Sequence, residues 1–152
     1  MELKVFVNKL NNAEDCLKSD GTIELASLQV LKKAILDRVF NKNGGLATDE
    51  TPLGEYRSLN YLDRRRNKNF TNILKNLYFN GDMFRSIVTG TKGDRIGLGF
   101  DNKDIAEIAR HQEDSENQVD KPIFYPTAEE IELVREDLRQ NIINKIKECF
   151  RT

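Results

Sequence analysis

The stretch Arg85-Ser86-Ile87-Val88-Thr89-Gly90-Thr91-Lys92-Gly93-Asp94-Arg95-Ile96-Gly97-Leu98-Gly99-Phe100 decides the fold class. Ile87 alternates with Arg85 and Thr89, and Ile96, Leu98 and Phe100 alternate with Gly97 and Gly99. Period two is the signature of strands with one covered face. Thr91-Lys92-Gly93-Asp94 between them has the chemistry of a hairpin loop. Two strands are therefore expected, Arg85 to Thr91 and Arg95 to Phe100. Gly97 and Gly99 read as a strand that another backbone approaches closely, or that is bulged.

Helical spacing surrounds this hairpin. Upstream, Leu25, Leu28, Leu31, Ile35 and Val39 recur every three or four residues, predicting a helix over Ile23 to Phe40. Asp20 or Thr22 is placed to cap it, and Asn43-Gly44-Gly45 to stop it. Downstream, Asn102 to Gln112 carries Ile105, Ile108 and Ala109 on one stripe. Thr127-Ala128-Glu129-Glu130 is a capping box that opens the longest helix, reaching about Phe150. Its predicted apolar stripe is Ile131, Val134, Leu138, Ile142, Ile146 and Cys149. Phe70, Ile73, Leu74 and Leu77 suggest a further short helix. Leu3, Val5 and Val7 alternate with Glu2, Lys4 and Phe6, predicting a strand at the start, and Asn11 to Gly21 reads as polar and turn-like. Lys121-Pro122-Ile123-Phe124-Tyr125-Pro126 reads as extended, because residues before proline avoid the helical region.

The expected class is α+β: a small, mostly antiparallel sheet with a hairpin, packed by an N-terminal helix and a long C-terminal helix. One domain over 1–152 is expected, with a long extended loop at about 41–69. Loops of that length are usually functional or disordered. Within it Arg57, Arg64, Arg65, Arg66 and Lys68 face only Asp63, a local excess of four positive charges. Glu113 to Asp120 is an acidic counterpart, expected to be an exposed loop.

Composition narrows the function. The 152 residues hold 24 Lys+Arg against 25 Asp+Glu, a formal net charge of −1, which argues against a wholesale nucleic-acid coat but allows a local basic patch. No stretch approaches the roughly 18 apolar residues of a membrane span, and Met1 to Val7 does not read as a signal peptide. Cys16 and Cys149 lie far apart with no C-x-x-C, so free thiols in a reducing compartment are expected. His111 is the single histidine, and its charged neighbours make it a solvent-facing residue at a helix end. Three His or Cys residues at 16, 111 and 149 do not suggest a zinc site. Glu113-Asp114-x-Glu116 and Glu129-Glu130-x-Glu132 read as solvated faces, and Gly97-Leu98-Gly99 lies on a strand where no phosphate loop is built. No catalytic, cofactor or metal residues are expected. The arginines of the basic run could neutralise phosphates without reading sequence, or form salt bridges to the acidic segment.

Several segments in order carry a resemblance. Asp37-Arg38-Val39-Phe40 ends a helix before Asn43-Gly44-Gly45, and Thr51-Pro52-Leu53-Gly54-Glu55-Tyr56 precedes the basic stretch. Asn80-Gly81-Asp82-Met83-Phe84-Arg85-Ser86-Ile87 then leads to Arg95-Ile96-Gly97-Leu98-Gly99-Phe100. Ala106-Glu107-Ile108-Ala109-Arg110-His111-Gln112 and Pro122-Ile123-Phe124-Tyr125-Pro126 stand before the last helix. Over roughly residues 30–150 this order resembles the virion-morphogenesis proteins of tailed bacteriophages, called tail-completion, neck or head–tail connector proteins. Asn80-Gly81-Asp82 departs from the family's Thr-Gly, and Glu113 from the usual glycine after His-Gln.

The resemblance implies a non-enzymatic structural subunit, assembled in the bacterial host cytoplasm and located in the neck or tail region of the virion. It implies a homo-oligomeric ring, six- or twelve-fold, joining the portal to the tail around the DNA channel. Portal, head-completion and tail proteins would be its neighbours, and packaged DNA a non-specific contact; no membrane is involved. Arg57, Arg64, Arg65, Arg66 and Lys68 are then candidate subunit, partner or channel contacts. The alternative is a small nucleic-acid-binding module using the basic 57–69 segment. A small host-directed inhibitor made by a phage is a third reading that no residue tests.

Overall fold

The computed structural model describes residues 11, 12, 14–16, 18, 21–93, 95–114 and 121–151. Five helices and a hairpin have defined bounds: α1 Thr22–Val39, α2 Leu59–Arg66, α3 Asp82–Ser86, β1 Ile87–Lys92, β2 Arg95–Phe100, α4 Lys103–Asp114 and α5 Ala128–Arg151. The class is α+β, with a two-stranded antiparallel sheet and a long C-terminal helix. The strand expected over residues 2–7 lies outside the described residues. Residues 11, 12 and 14–16 are helical, where a polar turn was expected.

β1 and β2 pair in the register Ile87↔Phe100 to Lys92↔Arg95. The strand begins two residues later than predicted, because Arg85 and Ser86 complete the one-turn helix α3 after Gly81, whose φ is 78°. The prediction for Gly97 and Gly99 is overturned. A side chain at either, or at Gly90, would meet nothing within 4 Å. These glycines pave an open face, while Ile96, Leu98 and Phe100 turn towards the interior.

The core lies between α1, the hairpin and the segment before α5. Ile35, Leu36, Val39 and Phe40 meet Ala47, Leu53, Ile87 and Ile123 there. Phe40 packs on Phe84 and Phe124 (ring centroids 5.5 and 6.4 Å), and Phe124 on Phe100 at 5.3 Å. Gly21 caps α1 from the left-handed region, with Thr22 already inside the helix; Asp20 lies outside the described residues. The helix stops at Val39, and Gly45 lets the chain return. Its missing Cβ would stand 2.1 Å from the Val39 carbonyl oxygen.

α5 lies along α1, but its predicted stripe is rotated. Ser27, 1 % exposed, donates to Asp137 at 2.7 Å, and Asn141 donates to Asp137 at 2.8 Å. This polar seam takes the centre of the contact beside Val134 and Leu138. Ile131, Ile142 and Ile146 are displaced to an exposed flank. The capping box forms as expected: Glu130 N–H donates to Thr127 Oγ1 at 3.1 Å, and Thr127 N–H to Glu130 Oε2 at 2.8 Å.

The cysteines are bonded to each other, contrary to expectation. Helical residues 14–16 lie against the far end of α5, bringing the Cα atoms of Cys16 and Cys149 to 5.7 Å, within the range a disulfide spans. Separation in sequence, 133 positions, hid a proximity that only the packing creates.

Candidate functional site

The basic segment is not a loop. Ser58 begins α2, its hydroxyl accepting from the Tyr61 amide at 3.4 Å, and three arginines fill the last turn, where the helix dipole favours cations. The stretch after it is extended rather than helical. Tyr56 N–H donates to the Ile73 carbonyl and Lys75 N–H to the Gly54 carbonyl, at 2.9 and 2.8 Å. Phe70, Asn72 and Leu74 face inward while Thr71 and Ile73 face out, an alternation that the helical spacing of Phe70, Ile73, Leu74 and Leu77 concealed.

Arg65 is the largest departure from the expected site. It is 1 % exposed. Its guanidinium carbon lies 4.6 Å from the Tyr56 ring centre and 4.8 Å from that of Phe70. It donates to the Tyr78 carbonyl at 2.6 Å and to Asn76 Oδ1 at 3.3 Å. No phosphate can reach it there. Two aromatic rings and two oxygens compensate much of the burial of this cation, while its buried Nε–H has no hydrogen-bond partner among the described residues. Arg65→Ala is expected to destabilise by about 3 kcal/mol, from lost cation–π contacts, unmade hydrogen bonds and a cavity. Arg65→Lys should recover less than half of this, lacking the planar fork. Urea unfolding measures both; unchanged stability with weakened DNA binding would contradict the burial.

The other four cations remain on the surface. Arg66 pairs with Asp63 at 3.1 Å. Lys68 lies 4.4 Å from the Phe79 ring centre and donates to Asn80 Oδ1. Among the described residues Arg57 and Arg64 make no ion pair. Arg57 borders a cleft of about 660 Å³ lined by Tyr56, Tyr61, Lys75, Leu77, Phe79, Met83, Ile105 and Ile108. Burial, then the neighbouring Arg57 charge, pulls the Lys75 ammonium below the usual lysine range. Burial also pushes the Tyr56 phenol up to about 12, helped by Tyr61 and opposed by Arg65. Its neutral hydroxyl accepts from the Leu77 amide at 3.1 Å. Leu77 itself sits at φ 51°, a left-handed conformation costing a branched residue roughly 1–2 kcal/mol. Asp82, at the cleft's edge, is held by Arg85 at 2.6 Å.

Ile108 was expected to join Ile105 and Ala109 in a packed stripe. Instead it is 47 % exposed at the cleft's lip. His111 is exposed in the last turn of α4. Of the acidic segment, Glu113 and Asp114 belong to α4 and residues 115–120 lie outside the described residues. Glu113 is half-buried and accepts from the Ile123 and Phe124 amides at 2.8 and 3.0 Å, so it ties the segment before α5 and does not meet the arginines.

A second surface lies at the start of α5, where Glu129 and Leu133 also border a cavity shared with Ala34, Arg38 and Asn41. Glu129, Glu132, Leu133 and Glu136 follow helical spacing on one face, all exposed, with Leu133 56 % open; Tyr125, just before the helix, is 65 % open. Among the described residues no group of three metal-ligating side chains converges, and no helix is long and apolar enough to cross a membrane. No family model, curated protein or solved structure matches this chain.

Proposed function

We propose that this chain is a structural, non-enzymatic subunit of a tailed-bacteriophage virion, a ring-forming protein at the head–tail junction that joins portal to tail. The observation that carries the reading is the pair of unlike surfaces. One is a cationic, aromatic cleft with Ile108 open at its lip; the other is an acidic helix face with Leu133 and Tyr125 protruding. Two different patches on one chain suit heterologous contacts, which close into rings when the rotation permits. The ordered motifs over residues 30–150 supply the phage assignment.

The nucleic-acid alternative keeps Arg57, Arg64, Arg66 and Lys68 but loses Arg65, the middle of its cluster, to the interior. The test is the location of the chain in mature particles of the phage that encodes it. Mass spectrometry is expected to find it in purified virions, and gold-labelled antibody to mark the junction of head and tail. Particles lacking the chain would end the reading.

A further inference from the structure

The cleft beside α2 and the acidic face at the start of α5 are opposite in sign. The cleft is lined by the apolar Leu77, Met83 and Ile105 and by the cations Arg57 and Lys75, with Lys68 set against the Phe79 ring of its wall. Among the described residues that line it the one carboxylate is Asp82, which is held by Arg85. On α5, positions 129, 132, 133 and 136 recur at i, i+3, i+4 and i+7, so three carboxylates ring the Leu133 side chain. Among the described residues Glu129 has no ion pair, while Glu132 has only the exposed Arg135, at 3.3 Å.

We infer that the cleft receives the start of α5 from a second copy of this chain, with Leu133 inserted between Ile105 and Ile108 and Glu129 facing Arg57. The inference rests on the ring reading and specifies its contact. It uses an apolar knob in a pocket surrounded by charges of opposite sign, the arrangement of interface anchors. In the ring reading this contact is made head-to-tail, each copy giving its α5 to one neighbour and receiving that of the other, and it closes when the rotation permits.

Photo-cross-linking tests this in assembled particles. The photoreactive residue p-benzoylphenylalanine replaces Ile108 in one sample and Asn80, another cleft residue, in a second. Each labelled chain is incorporated together with nitrogen-15 copies, so that intermolecular products are identified by mass. The expected product joins the cleft position to residues 125–136 of another copy. Arg57→Glu should lower its yield at least about tenfold, and Arg57→Glu combined with Glu129→Lys should restore it. A ring whose cross-links land elsewhere from both positions, or ignore the Arg57 charge, overturns this contact and leaves the ring reading standing. Particles without the chain defeat the ring reading, and this inference with it.

Discussion

Replacing Arg38 by methionine is expected to destabilise the fold by about 4 kcal/mol, within the roughly 3–5 kcal/mol that follows when one partner of a buried ion pair is removed. Arg38 and Glu130 side chains are each 8 % exposed, and Nε meets Oε1 at 2.8 Å. The same guanidinium donates to the carbonyls of Leu46 and Ile123 at 3.0 Å and of Tyr125 at 2.9 Å. These carbonyls lie outside the helices and the hairpin, and that of Tyr125 also accepts from Thr48 Oγ1 at 2.9 Å, so one arginine joins the end of α1, the return loop and the approach to α5. Met matches the stem but satisfies none of these oxygens and leaves the Glu130 carboxylate buried and uncompensated. At roughly 2–4 °C per kcal/mol for a chain of this size, the midpoint should fall by about 8–16 °C. Adding Glu130→Gln should return part of the loss, because the unpaired charge disappears while a cap acceptor remains. A thermal midpoint unchanged by Arg38→Met would contradict the role assigned to this pair.

Reduction of Cys16–Cys149 has an expected effect of similar size. The bond closes a loop across 133 positions, and chain entropy for a loop of that order gives about 5 kcal/mol, with native disulfides measured nearer 2–5 kcal/mol. The stabilisation arises mainly in the unfolded chain, so Cys16→Ser with Cys149→Ser should lower the urea midpoint while the hairpin and α1 keep their structure. Thiol titration of folded protein prepared without reductant should find no free thiol, and two after reduction in denaturant. Two reactive thiols in the unreduced folded protein would show that the bond does not form. A reducing cytoplasm opposes such bonds. If the chain has the proposed virion role, chain alkylated inside the host is expected to carry free thiols, and chain from released particles the disulfide.

What could be read from the sequence depended on whether the covered face was apolar. α1 and the hairpin follow their periodicities because Ile35, Val39, Ile96 and Leu98 are the residues they bury. The capping box was legible because its logic is local: Thr127 and Glu130 need only each other. α2 was missed because its inward position is an arginine, and Arg65 reads as solvent to any count of apolar spacing. The sign that could have found it is Ser58 as a cap, with aromatics at Tyr56 and Phe70 on either side of a long cation. The extended segment after it reads as a helix because Phe70, Ile73, Leu74 and Leu77 follow helical spacing, whereas its inward alternation runs through the polar Asn72 and leaves Ile73 outside. Its pairing with residues 54–56 is long-range. The rotation of α5 has the same origin. Ser27, Asp137 and Asn141 form a polar seam that a hydrophobic count places outside the contact. The cleft combines α2, the 75–83 segment and α4, which no single stretch displays.

The central claim is that this protein acts by fitting its unlike surfaces against further copies and adjoining rings. Electron cryo-microscopy with localised reconstruction of the head–tail junction tests it most directly. The account predicts a closed ring of this chain, each copy related to the next by one rotation, with the start of one α5 at the cleft of its neighbour. A junction built without this chain, or its density confined to the capsid shell or tail fibres, would contradict it.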